Sequence, residues 1–238
     1  MGSHDQYRKL VLDCTQKLAS KGYLVGSGGN VSVRIEGEDL IAITPTSREY
    51  DGMVLEDICV VDHERQLVEG NFAPSVETSM HIAVYKARQD VGAIVHTHQI
   101  YASVYALINQ TIPALFDEQV ANLGNKVQVV PYGLSGSTEL VDNISAAVGN
   151  SCNAFILQNH GAMVLAADMG KAMKNVELLE KAAKVYYLAM LSGKPVTTLQ
   201  SDIETAIFDM LTSEQRREAR RRRKLQKNKD GAEQPTAS

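Results

Sequence analysis

Three histidines carry the clearest chemical signal in this chain. His96-Thr97-His98 follows the apolar run Val91 to Val95, which reads as a buried strand ending at the pair. Side chains two apart on a strand point to the same face, so both imidazoles can reach one cation at about 2.0–2.1 Å. His160 lies in a turn between two apolar runs, and Gly161 behind it allows close backbone approach. Three neutral histidines with an open coordination position describe a catalytic zinc site, where the metal polarises a carbonyl and stabilises an enediolate. The competing reading of the pair is two strand-end histidines hydrogen-bonded to neighbouring loops. His63 and His81 are assigned structural roles, one on the surface and one in a helix.

Glu77 stands two residues after Ser75, a good N-cap for a helix over residues 74–88. A carboxylate in a first helical turn is stabilised by the helix dipole. It is also a candidate general base beside a metal. Three segments could hold an anion. Gly26-Ser27-Gly28-Gly29-Asn30 can turn several N–H groups toward one point, Thr44-Pro45-Thr46-Ser47 offers hydroxyls beside a turn, and Ser75 sits at a helix start. Each alone is an ordinary loop; they gain meaning only by converging in space.

The elements that must position these groups follow from periodicity. Helices are expected over residues 5–21, 74–88, 102–109, 137–148 and 169–192, with a short one over 202–211. Strands are expected over 31–35, 40–44, 58–62, 94–98, 127–131, 154–158 and 163–166. This order is not a strict strand–helix alternation. It predicts an α/β domain with a mixed, largely antiparallel central sheet covered by helices.

With 238 residues, 44% of them hydrophobic, the chain can fill one core. No apolar run is long enough to span a membrane, and Met1-Gly2-Ser3-His4 has no signal-peptide structure. Cys14, Cys59 and Cys152 are odd in number and far apart, which points to free thiols in a reducing, cytoplasmic setting. Between Glu214 and Asp230 nine Lys/Arg face three acids, a net +6; the whole chain is −4, so the remainder is −10. An acidic body is unlike a nucleic-acid-binding domain, which leaves only the basic tail, residues 213–238, as a contact for RNA or another acidic partner. That tail lacks an apolar face and is expected to be a flexible extension.

Taken in order, Gly28-Gly29-Asn30-Val31-Ser32-Val33-Arg34, Ile43-Thr44-Pro45-Thr46-Ser47, Pro74-Ser75-Val76-Glu77, His96-Thr97-His98 and Gln158-Asn159-His160-Gly161 resemble the class II aldolase/adducin family, which includes L-fuculose-phosphate aldolases and L-ribulose-5-phosphate 4-epimerases. The resemblance spans most of residues 5–212, taken as the catalytic domain, and implies a three-layer sandwich. It implies that His96, His98 and His160 bind Zn2+ or another divalent metal, with Glu77 as catalytic acid/base and a fourth ligand at rest. Gly29, Asn30, Thr46, Ser47 and Ser75 would line a phosphate pocket. A homotetramer with active sites at subunit interfaces is also implied, as is reversible cleavage of a ketose 1-phosphate to dihydroxyacetone phosphate and a short aldehyde through a zinc-bound enediolate.

The chain departs from the fuculose-phosphate pattern. Val76 replaces a second serine, Ser47 replaces glycine, Asp117 stands where the neighbouring subunit's tyrosine is expected, and no tyrosine follows Tyr187. Asp117 or Glu118 could supply the missing acid across an interface. Val76 and Arg48 would also suit a carboxylated substrate, so a zinc-dependent decarboxylase is the alternative. Glu at position 77, where the epimerases carry Asp, argues against an epimerase. The three histidines argue against a non-catalytic adducin-like module.

Overall fold

The computed structural model describes residues 3–232. Eight strands form one sheet: β1 (Asn30–Arg34), β2 (Leu40–Ile43), β3 (Cys59–Asp62), β4 (Leu67–Glu69), β5 (Ala93–Thr97), β6 (Gln128–Val130), β7 (Ala154–Leu157) and β8 (Gly161–Ala166). Their spatial order is β4-β3-β2-β1-β5-β8-β7-β6. Every pairing is antiparallel except the parallel β6–β7 pair. The mixed α/β sheet is therefore the expected one.

Alternation of side chains decides why the strands are apolar throughout. On β5, Ala93 and Val95 face one core while Ile94 faces the other; on β8, Ala162, Val164 and Ala166 face the first and Met163 and Leu165 the second. Both faces of the sheet are covered. Helices α1 (Asp5–Ser20), α3 (Ile100–Ile108) and α6 (Met169–Leu191) supply the first core, and α2 (Thr78–Ala87) and α5 (Thr138–Ala147) the second. Helix α4 (Asp117–Leu123) packs against α7 (Ser201–Ala232) and α6.

Several boundaries differ from expectation. Helix α2 starts at Thr78 with Glu77 as its N-cap residue; Ser75 instead closes the turn before it, accepting the Glu77 N–H at Oγ (3.2 Å) and the Thr78 N–H at its carbonyl (3.0 Å). His98 falls one residue past β5. Strand β4 and helix α4 were not expected, being only three and seven residues long.

The largest correction concerns the C-terminus. In place of a short helix and a flexible tail, α7 continues through Ala232. No Gly or Pro occurs between Val196 and Asp230 to stop it, and Glu, Gln, Arg and Lys are good helix formers. Phe208 and Leu211 pack against the body, but beyond them its contact is polar, which is why no apolar face marks that part. Gln215 donates to the Ser151 carbonyl (2.9 Å), Arg222 to the Ala167 carbonyl (2.6 Å), and Glu214 pairs with Lys171. Residues 233–238, the end of the expected flexible tail, lie outside the described residues.

None of the helices among the described residues is long and apolar enough to cross a membrane. The three cysteines are buried and free.

Candidate metal centre and active site

Strand pairing brings the site residues together. Strand β5 lies between β1 and β8, so His96 faces Asn30 on one side and Met163 on the other. The β7–β8 hairpin turns at residues 158–160, beside the end of β5, and Asn159 adopts a left-handed φ of 54° there. The chain just after β5 is pinned by α6: Gln99 donates to the Val176 carbonyl (3.2 Å), and the Glu180 carboxylate accepts from the N–H groups of Tyr101 (3.0 Å) and Ala102 (3.1 Å) at the start of α3. These ties hold His98 in position.

The three imidazoles converge through one edge each. His96 Nε2 lies 3.2 Å from His160 Nε2 and 3.1 Å from His98 Nε2. His96 Nδ1 lies 2.9 Å from the Ala162 carbonyl. A carbonyl can only accept, so Nδ1 carries a proton, which leaves Nε2 as the ring nitrogen that can bind a metal. Burial, and after it the charges of His96 and His160, pushes His98 down to about 4; burial and His96 do the same to His160, with Glu77 opposing in both cases. Imidazole nitrogens gathered in this way, with His98 and His160 held neutral, suit a cation. Four tetrahedral ligands at about 2.0–2.1 Å would lie roughly 3.3–3.4 Å apart, close to the His96–His160 and His96–His98 spacings, and all three ligand atoms lie within 4.8 Å of one another. The three histidines could together hold a metal ion.

Glu77 lies beside the cluster. Its Oε2 is 3.3 Å from His96 Nε2 and its Oε1 is 3.4 Å from His160 Nε2, and the residue is 3% exposed. Asn30 donates to Oε2 (2.6 Å) and Ser135 to Oε1 (2.8 Å). Burial works to raise the Glu77 pKa, but the two histidines and these two hydrogen bonds outweigh it and hold the carboxyl at about 2.

Behind Asn30 runs a buried chain of hydrogen bonds. His81 Nε2 lies 2.6 Å from Asn30 Oδ1, His81 Nδ1 lies 2.7 Å from Ser32 Oγ, and Ser32 Oγ lies 2.8 Å from the Tyr85 hydroxyl. Burial pushes His81 down to about 3 against the charge of Glu77, so the ring is neutral. With one proton to place, Nε2–H donates to Asn30 and Nδ1 accepts from Ser32. His81 is structural, as expected, but not idle: it fixes which end of the Asn30 amide faces Glu77.

The three anion-loop segments are stitched to one another. Val31 N–H donates to Thr44 Oγ1 (3.2 Å), Ser75 N–H to the Thr44 carbonyl (3.1 Å) and Thr46 N–H to the Ala73 carbonyl (2.9 Å). Gly29, Asn30, Thr46, Ser47 and Ser75 thus belong to one loop cluster. Asn30 is 3% exposed and its amide is occupied by Glu77 and His81. Tyr50 donates to the Gly29 carbonyl (2.5 Å) and holds the glycine loop. Gly29 has φ 84°, and a Cβ there would lie 2.6 Å from the His96 carbonyl oxygen; only glycine fits.

Other expected participants are engaged elsewhere. Arg48 pairs with Asp57 (3.4 Å) and lies over the Phe72 ring. Glu118 pairs with Lys181 within the same chain, while Asp117 is exposed at the start of α4. Ser135 and the chain through His81 were missed. Ser135 sits in the Gly/Pro/Ser loop 131–137, whose composition signals a turn and nothing of its target. The His81–Tyr85 spacing of four residues on a helix was the one available signal for the relay.

The model of the class II aldolase and adducin N-terminal domain matches residues 9–187. A relative from Methanococcus maripaludis, named L-fuculose phosphate aldolase, is 37% identical over 171 residues, covering 72% of this chain and 90% of its own. A 5-deoxy-D-ribulose 1-phosphate aldolase from Bacillus thuringiensis is 30% identical over 197 residues, 83% of this chain and 92% of its own. The solved structure of an L-fuculose 1-phosphate aldolase superposes with a TM-score of 0.82 at 32% identity, covering 89% of this chain and all of that one. The chain belongs to the class II aldolase/adducin family and is an enzyme of its carbon–carbon lyase class.

Proposed function

We propose that the protein catalyses reversible, zinc-dependent aldol cleavage of a ketose 1-phosphate to dihydroxyacetone phosphate and a short aldehyde. The observation that carries this reading is the convergence of three imidazole Nε2 atoms, with the Glu77 carboxylate beside them. When bound by His96, His98 and His160, the cation supplies Lewis acidity that stabilises negative charge on the substrate's carbonyl oxygen. Glu77 moves the proton at the carbon that becomes the hydroxymethyl group of dihydroxyacetone phosphate. Gly29, Asn30, Thr46, Ser47 and Ser75 line the substrate-phosphate pocket, where the hydroxyls of Thr46, Ser47 and Ser75 donate to the phosphate and orient it.

The relatives' names support a phosphorylated ketose, and the deoxyribulose-phosphate relative supports short deoxy ketoses among the candidates. The decarboxylase alternative needs a free cation for a substrate carboxylate. Arg48, the residue it relied on, is held by Asp57 and Phe72.

The catalytic unit is residues 5–212, with residues 213–238 as an appendage. The working enzyme is a cytoplasmic homotetramer whose sites are completed across subunit interfaces.

Hydrogen–deuterium exchange at the hydroxymethyl carbon of dihydroxyacetone phosphate, followed by NMR in D2O, tests the proton step without an aldehyde. Metal-loaded protein is expected to exchange one of the two hydrogens, and Glu77→Gln to lose the exchange. Exchange at the wild-type rate in Glu77→Gln would remove Glu77 from this role.

A further inference from the structure

Helix α7 sorts its charges by face. Between Glu214 and Lys227 both of its acids are engaged: Glu214 pairs with Lys171, and Glu218 with Arg221 (2.8 Å) and Arg222 (2.8 Å). Glu36 of the body also pairs with Arg221 (2.5 Å) and Arg222 (3.5 Å). Six further cations, Arg216, Arg217, Arg220, Arg223, Lys224 and Lys227, are exposed and form no hydrogen bond or ion pair with another described residue.

Their spacing places them together. Positions i, i+1, i+4, i+7, i+8 and i+11 fall within an arc of about 120° and extend about 16 Å along the helix. Beside this stripe lies a groove of about 710 Å3; Arg220, Arg223, Lys224 and Lys227 line one side of it with the exposed Lys86 of α2, and Glu36, Glu38 and Asp39 of the body also line it, so an anionic partner is met by the outward stripe and not by the groove floor. Like charges three and four residues apart on a helix repel one another. The stripe is held on a chain whose other residues sum to −10, so it is not a general solubilising charge.

We propose that the outer face of α7 docks the phosphodiester backbone of a nucleic acid, without sequence preference. A row of six unpaired cations on a rigid rod is complementary to a linear row of phosphates. The stripe has no aromatic side chain between Asp209 and Lys227 for base stacking, so it reads charge and not sequence. An anionic membrane fits less well. A helix lying on a bilayer inserts an apolar face, whereas Ala219 and Leu225 are the only apolar residues between Arg216 and Lys227, and the opposite face is tied to the body. A flat anionic surface would also meet the acidic body.

The test is fluorescence polarisation of the full chain with labelled duplex DNA and duplex RNA at increasing salt, beside sedimentation with phosphatidylserine-containing vesicles. The expected result is binding to at least one duplex, with log K falling against log salt at a slope of about −4 to −5 for roughly five neutralised phosphates. Replacing Arg216, Arg220, Arg223 and Lys227 with Gln, which keeps helix propensity, is expected to reduce the slope by about 3 and weaken binding more than tenfold at about 50 mM salt. No binding to either duplex at low salt, unchanged binding in the substituted protein, or capture by vesicles alone would each overturn the proposal.

Discussion

The Asn30 side chain joins His81 to Glu77: its Oδ1 lies 2.6 Å from His81 Nε2, and its Nδ2 donates to Glu77 Oε2 at 2.6 Å. An amide can present either end, and a neutral histidine that donates leaves Nδ2 facing the carboxylate. The orientation of the Glu77 carboxylate is therefore set by a residue outside the group of three histidines.

Replacing His81 with Ala should free the Asn30 amide to rotate and lower kcat by about tenfold, the cost of one charge-assisted hydrogen bond at roughly 1.5 kcal/mol. Bound metal, read by elemental analysis, should stay near the wild-type level. His81→Gln, which can still donate to Asn30, should recover part of the loss. Equal kcat in all three proteins would show that the relay does not position Glu77.

The same histidine predicts a pH dependence of stability in the metal-free protein. His81 is held near 3 in the fold against about 6.5 unfolded. The unfolded chain therefore binds the extra proton between these values, and stability falls as pH drops through that window. Between pH 7 and pH 4 the contribution is roughly 3 kcal/mol. Thermal melts followed by circular dichroism should show a shallower acid slope for His81→Gln than for wild type. Parallel slopes would mean that His81 is not buried neutral.

Gly161 tests the packing behind the histidines. A Cβ there would stand 2.5 Å from the Thr97 carbonyl oxygen and 2.7 Å from His98 Cδ2. Gly161→Ala should push His98 out of register and weaken metal affinity about 10- to 100-fold, as loss of a supporting contact does. Chelator competition measures this. Wild-type affinity would mean that the hairpin yields without disturbing the ligand.

Ser135→Ala removes one of the two hydrogen bonds to the Glu77 carboxylate. The carboxyl pKa should rise toward its ordinary value, so the acid limb of the kcat/KM profile should move to higher pH. An unmoved limb would show that the bond is absent during turnover.

How much of this was legible beforehand follows the range of each interaction. His96 and His98 were readable because strand periodicity puts i and i+2 on one face, and Glu77 and the loop motifs because they are short segments in family order. The sheet was legible from its apolar strands. Ser135 and the His81–Ser32–Tyr85 chain were not, because their partners lie up to 58 residues away, and the one local signal, the His81–Tyr85 spacing, does not name a partner across the fold. The length of α7 was misjudged for a related reason. Apolar periodicity does not mark a helix segment held by Gln215, Arg221 and Arg222 through polar contacts.

The most direct test of the account is release of dihydroxyacetone phosphate from a panel of ketose 1-phosphates by the zinc-loaded protein, followed through a coupled NADH-consuming reductase. The account predicts release from at least one substrate, lost in His96→Ala together with the metal and lost in Glu77→Gln with the metal retained. No release from any panel member by protein with confirmed bound zinc, or release that survives either substitution, would contradict it.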